Sequence, residues 1–372
     1  MAKKIISATR IFDGYQYHDQ AQLVIADGKI VAIEAIDGSA SVHIDGIIAP
    51  GFIDLQVNGG GGVLLNTDPT LAGIKTIIAA HRQFGTTAML PTLITDTIEI
   101  MTQAADAAAL AISEHVTGVL GIHFEGPHIS IAKKGAHSEE YIRPISDAEW
   151  AILSRQDLGQ IKVTIAPENV AVADIKRMVT LGIKVFLGHS NADFSTAQAA
   201  LDAGADGFTH LFNAMSPLTS REPGLVGAAL LNDQAVCGLI VDGHHVDYAS
   251  CRLALKTKPR GTVLLVTDAM SVVGSDIERF AFFNREIIKT GSRLNSTTGE
   301  LAGSALDMAT AVRNTHQYLD QPLTEALRMA SLYPAQYLGL ADHIGQLQVG
   351  TQADFIALNE DLVVINSWVL GH

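Results

Sequence analysis

Eight short apolar runs punctuate the middle of the chain, at residues 52–56, 86–92, 121–125, 162–166, 184–189, 207–210, 238–241 and 263–268. Between several of them, at residues 71–84, 98–114, 172–181 and 195–203, lie mostly Ala-rich stretches whose apolar residues recur at three- and four-residue steps. The first pattern predicts buried strands and the second amphipathic helices. Strands alternating with helices build a parallel sheet, and eight of them can close it, so the pattern predicts an α/β chain folded as a (β/α)8 TIM-like barrel.

The two ends of the chain read differently. Residues 4–9, 21–26 and 29–35 are short β-like runs set off by Asp13-Gly14 and Asp27-Gly28, with Asp37-Gly38 beyond them, which predicts antiparallel strands. The same character returns at residues 354–358. A small β-sandwich domain built from both termini, residues 1–50 plus 344–372, is therefore expected to clamp a barrel of residues 51–343. Residues 274–303 break the barrel rhythm, and a hairpin of 279–283 with 286–290 is expected there as an insertion over the site.

Composition narrows the functional classes. With 372 residues, 48% apolar and 17% charged, the chain can bury a large core and is too evenly mixed to be disordered. A formal net charge of −14 argues against nucleic-acid and anionic-membrane partners, which need clustered Lys and Arg. A phosphate in the substrate would then require a local cationic pocket. Cys237 and Cys251 have neither disulfide-framework nor zinc-finger spacing. The first ten residues have no apolar run behind their lysines, and no apolar stretch of about 18 residues occurs. A cytoplasmic enzyme is the expectation.

Four of the predicted strands end in residues able to bind a metal or move a proton: Glu125, His189, His210 and Asp268. In a (β/α)8 barrel the catalytic face gathers side chains from successive strand ends, so helix-length spacing brings these four together. Glu125, His189 and His210 offer one oxygen and two imidazole nitrogens, the ligand set of a catalytic divalent ion with an open position for water. Zn²⁺ is the first choice, with Fe²⁺, Mn²⁺ and Co²⁺ also suited. Asp268 is placed to act as the general base for the water such an ion activates. His123 shares the pleat face of Glu125 one layer deeper, His128 shapes the following loop, and Glu168 is expected in a structural salt link.

Six ordered motifs carry a resemblance. Pro50-Gly51-Phe52-Ile53-Asp54, His123-Phe124-Glu125-Gly126-Pro127, Leu187-Gly188-His189-Ser190, Thr209-His210-Leu211-Phe212-Asn213-Ala214-Met215, Arg221-Glu222-Pro223-Gly224 and Val266-Thr267-Asp268-Ala269-Met270 look like the N-acetylglucosamine-6-phosphate deacetylase branch of the metal-dependent amidohydrolase superfamily. The resemblance implies release of acetate from N-acetyl-D-glucosamine 6-phosphate, giving D-glucosamine 6-phosphate. It assigns Glu125, His189 and His210 to the metal and Asp268 to acid/base work, in agreement with the strand-end reading. It also implies that His137, otherwise an ordinary loop histidine, polarises the acetamide carbonyl. Asn213 and Ala214 would lie against the phosphosugar, and Arg221 and His245 would bind its phosphate across the interface of a homodimer. Arg suits that task because its charged, planar fork matches phosphate oxygens.

Many amidohydrolases carry His-x-His at the end of the first strand, where this chain has Gln56-Val57-Asn58. Neutral carboxamides are weak metal ligands, so one divalent ion per subunit is expected, with Gln56 as a further substrate contact. Residues 59–62, all Gly, suggest close backbone approach near the site. Two other readings are compatible with the residues: an amidohydrolase acting on another N-acyl amino-sugar phosphate or a cyclic amide, and a non-catalytic amino-sugar-phosphate sensor. A sensor has no use for both Asp268 and a complete ligand triad.

Overall fold

The computed structural model describes residues 3–283, 285–297, 299 and 301–372; Met1 and Ala2 of the expected terminal domain and Asn284, Thr298 and Glu300 of the expected insertion lie outside them. Asp13 turns the chain between β1 (Lys4–Phe12) and β2 (Tyr17–Ala26), its carboxylate accepting the N–H groups of Tyr15 at 2.7 Å and Gln16 at 2.8 Å. A second turn at Asp27-Gly28, where both residues hold positive φ, leads into β3 (Lys29–Ala35). β4 (Val42–Pro50) then lies parallel to β1, not antiparallel as the turns suggested, because residues 36–41 cross to the free edge of β1 instead of folding back on β3.

From Phe52 onward the architecture is parallel. β5 (Phe52–Val57), β6 (Thr86–Ile94), β7 (Gly121–Glu125), β8 (Gln160–Ile165), β9 (Lys184–Leu187), β10 (Gly207–Phe208), β11 (Val236–Leu239) and β12 (Val263–Leu265) form one eight-stranded sheet in sequence order, a nearly closed barrel. Every residue of β6 is buried, as expected for a strand covered on both faces. Helices Leu71–Arg82 and Ile98–Ser113 begin where the hydroxyls of Thr70 and Thr97 accept the N–H groups of Gly73 and Ile100. At the seam between the first and last strands, helices Leu323–Ala330 and Leu332–Leu338 pack against both β5 and β12.

Three strands stop earlier than the apolar pattern suggests. β9, β10 and β12 end at Leu187, Phe208 and Leu265, because His189, His210 and Asp268 hold left-handed φ values of 47°, 32° and 52°. A side chain in that region has left the extended backbone. β11 likewise begins and ends two residues before the expected run.

After β12 the expected hairpin is a three-stranded antiparallel sheet, with β13 (Arg279–Phe282), β14 (Arg285–Thr290) and an additional β15 (Arg293–Ser296). Phe282, Ile287 and Leu294 pack with Leu64, Ile94, Met270 and Val272, so this sheet seats on the barrel's upper rim. β16 (Phe355–Leu358) then pairs antiparallel with β4, and β17 (Val364–Trp368) completes the mixed terminal sheet in the order β17-β16-β4-β1-β2-β3. Phe355 stacks on Trp368 with ring centres 4.6 Å apart, joining the last strands to a core that includes Ile6, Leu23 and Ile48. Among the described residues no helix is long and apolar enough to cross a membrane.

Candidate active site

Glu125 ends β7 with its side chain inward, while His189 and His210 follow β9 and β10 on left-handed turns that swing their rings to the same point. Glu125 Oε1 lies 3.2 Å from His189 Nε2 and 3.1 Å from His210 Nε2, and the two Nε2 atoms are 3.0 Å apart. All three residues are buried. Donors at three corners of a tetrahedron around an ion with bonds of about 2.0–2.1 Å would stand about 3.3 Å apart, so this triangle fits a divalent metal. His189 Nδ1 lies 2.9 Å from the Lys133 carbonyl, so a proton there leaves the Nε2 lone pair facing the cluster. Burial alone would raise the Glu125 carboxyl, but the two imidazoles beside it outweigh burial and hold it well below the usual range.

Asp268 lies across from this triangle on the far side of the barrel seam. Burial, and then the charge of Glu125, raise its carboxyl above the ordinary value. Gln56 stands between the two acids, its Nε2 donating to Glu125 Oε1 at 2.9 Å and to Asp268 Oδ1 at 3.2 Å. Asn58 Nδ2 donates to the same Asp268 oxygen at 2.7 Å. Gln56 is fully buried, and its amide is engaged by the two carboxylates it separates.

A cavity of about 180 Å³ opens over these groups. His137, Asn213, Ala214 and His245 line it together with Glu125, His189, His210 and Asp268. His137 Nδ1 sits 2.8 Å from Thr95 Oγ1, and burial followed by the neighbouring His189 holds its pKa well below the ordinary value. Gly126 protects this contact: a Cβ there would meet Thr95 Oγ1 at 2.2 Å, and its φ of 85° favours glycine. Ile94, Met270, Phe282 and Leu301 form an apolar wall that strand-end reasoning did not find, because two of them come from or beside the inserted sheet.

Outside the centre, the turn after β11 presents His245 to the pocket of its own chain. Its Nδ1 lies 2.6 Å from Asp242 Oδ2; burial opposes its charged form, yet that bond and charge raise its pKa. Arg221 is exposed and outside this cavity. Glu168 makes hydrogen bonds and not the expected salt link: it accepts from Ser190 Oγ at 2.6 Å and from the Asn191 N–H at 2.7 Å, bracing the turn after His189. His123 sits beneath the site between Thr92 Oγ1 at 3.1 Å and Thr164 Oγ1 at 2.8 Å, and His128 meets the Arg143 carbonyl at 2.9 Å.

Comparison with known proteins follows this geometry. The amidohydrolase family model matches residues 47–372. An N-acetylgalactosamine-6-phosphate deacetylase from Shewanella sp. (strain ANA-3) is 49% identical over 326 residues, 88% of this chain and 82% of the relative. An N-acetylglucosamine-6-phosphate deacetylase from Haemophilus influenzae is 36% identical over 94% of this chain and 93% of its own. Among solved structures, the N-acetylglucosamine-6-phosphate deacetylase from Pasteurella multocida superposes with a TM-score of 0.95 at 37% identity, covering 100% of this chain and 99% of that one.

A ligand that binds only the folded state stabilises it, by about 2.7 kcal/mol at a hundred times its Kd. Chelation is therefore expected to lower the melting temperature, zinc to restore it, and His210→Ala to abolish both responses. A wild-type melt indifferent to chelator and zinc would contradict a metal at this triangle.

Proposed function

The chain belongs to the amidohydrolase family, and on that footing we propose that it hydrolyses the acetamide bond of N-acetyl-D-glucosamine 6-phosphate, giving D-glucosamine 6-phosphate and acetate, in amino-sugar catabolism. The observation that carries this reading is the convergence, in one pocket, of a buried Glu/His/His triangle with the Asp268 carboxylate and the Asp242-paired His245. Glu125, His189 and His210 would hold one divalent ion, Zn²⁺ first, with Fe²⁺, Mn²⁺ or Co²⁺ as alternatives. When bound, the ion supplies Lewis acidity at the carbonyl and lowers the pKa of a water.

This chain's own residues do the rest. Asp268 takes a proton from the attacking water at a carboxylate oxygen and returns it to the leaving amine nitrogen; its raised pKa suits a group that must carry that proton. His137 is neutral, and in the tautomer whose Nδ1 accepts from the Thr95 hydroxyl its Nε2–H would stabilise the oxygen where negative charge develops. His245, whose charged form the Asp242 carboxylate favours, would face the phosphate, with Asn213 and Ala214 against the sugar. Arg221 is exposed in its own chain, which supports its supplying the second phosphate donor to a neighbouring subunit in a homodimer. The free, buried Cys237 and Cys251 support a cytoplasmic setting.

A second substrate is favoured by one observation. The 49% identical relative is named for the C4 epimer, N-acetylgalactosamine 6-phosphate, so the same chemistry on that sugar belongs to the proposal.

Replacing Asp268 with Asn is expected to lower kcat by about 10²–10⁴-fold with bound metal unchanged, measured by acetate release and metal analysis. Near-normal turnover would remove Asp268 from the proton path. In a substrate panel, both 6-phosphates should release acetate and unphosphorylated N-acetylglucosamine should release little. Equal kcat/KM with and without the phosphate would sink the phosphosugar assignment, and the ratio of the two epimers ranks them.

A further inference from the structure

Sheet order in the barrel runs from β5 to β12, and among the described residues no ladder joins those two strands. The seam is closed at its top by backbone hydrogen bonds: Asp268 N–H donates to Gln56 O, and the N–H groups of Asn58 and Gly59 donate to Ala269 O, each at 2.9 Å. Beneath them sits Asp54, fully buried on β5, which the proposed chemistry does not use. Among the described residues its hydrogen-bond partners are donors. The carboxylate accepts the Gln56 N–H at 3.1 Å, the Thr267 N–H at 3.3 Å and the Thr267 hydroxyl at 2.5 Å. Three converging donors are the partners of an ionised carboxylate.

A cation shares this interior. Lys162 of β8 is 1% exposed, donates to Leu55 O at 3.3 Å and lies 4.3 Å from the centre of the Phe186 ring. Burial pushes the Asp54 carboxyl up to about 7 and the Lys162 ammonium down to about 8, and each charge draws the other back toward its ionised form. The other side of the Thr267-Asp268 unit is held too. Ser304 Oγ donates to Thr267 O at 2.5 Å, and the Ser304 N–H donates to Asp268 O at 3.0 Å.

We propose that Asp54 is a positioning residue for Asp268: by tying Thr267 to the Gln56 strand end across the seam, it fixes the left-handed turn that aims the Asp268 carboxylate into the pocket. This rests on the deacetylase reading. The turn needs such a clamp, because a non-glycine residue at a φ of 52° relaxes unless its neighbours over-determine it. Misplacing a catalytic group by about 1 Å costs on the order of 10²-fold in rate.

The test uses the full-length, metal-loaded enzyme. Asp54→Asn turns one acceptor into a donor facing donors, and Thr267→Val removes the hydroxyl at nearly constant volume. Each should lower kcat about 10- to 100-fold, with KM within about twofold and metal content unchanged. Thr267→Ser should recover most of the loss. In an Asp268→Asn background, Asp54→Asn should lower the residual rate no further, since there is no base left to aim. A kcat within about twofold of wild type in both single variants, or a further fall in the Asp268→Asn background, would overturn the inference. Should Asp54→Asn fail to fold, Thr267→Val and Thr267→Ser decide alone. An inactive wild-type enzyme would instead refute the deacetylase reading itself.

Discussion

Two imidazole nitrogens and a carboxylate oxygen face one another at 3.0–3.2 Å in a space nearly closed to solvent, and the upper half of the barrel is organised around that crowding. Adjacent nitrogen lone pairs repel, and a buried carboxylate without compensation is costly. A divalent cation at the centre of the triangle relieves both. The surroundings keep the donors in place: the Lys133 carbonyl orients one ring, and Gln56 is inserted between the acids so that Glu125 and Asp268 do not meet directly.

Holding this arrangement strains the backbone. Three of the four strand-end residues, His189, His210 and Asp268, occupy left-handed φ, where a non-glycine residue costs of order 1–3 kcal/mol. The strain persists because hydrogen bonds on both flanks over-determine it: Glu168 braces the turn after His189, and Ser304 and Gln56 grip Asp268. It also has a use, since a side chain on a left-handed turn points across the strand end into the cavity and not along the pleat.

Much of this was legible in the sequence. Eight apolar runs with helical intervals specify the parallel barrel because strands buried on both faces must be apolar throughout, and Glu125, His189, His210 and Asp268 stood out as chemistry at the ends of those runs. What pattern cannot carry is direction. Nothing in residues 36–41 says that β4 returns beside β1 and not β3. The apolar runs overshoot at His189, His210 and Asp268, since a left-handed turn changes conformation without changing hydrophobicity. Gln56 was recognised as a non-ligand, yet its amide's role between two acids depends on partners at positions 125 and 268 that only folding brings together. The same holds for Asp54, which in sequence is one residue of a motif and in the fold faces Thr267 across the seam.

The central claim is that the pocket works with a single ion held by Glu125, His189 and His210, the carboxamides of Gln56 and Asn58 leaving no strong second site. Titrating metal-free protein with zinc while following acetate release from N-acetylglucosamine 6-phosphate tests it most directly. The account predicts activity that rises linearly and saturates at one equivalent per chain. Activity that needs a second equivalent, or that is undiminished without metal, would contradict it.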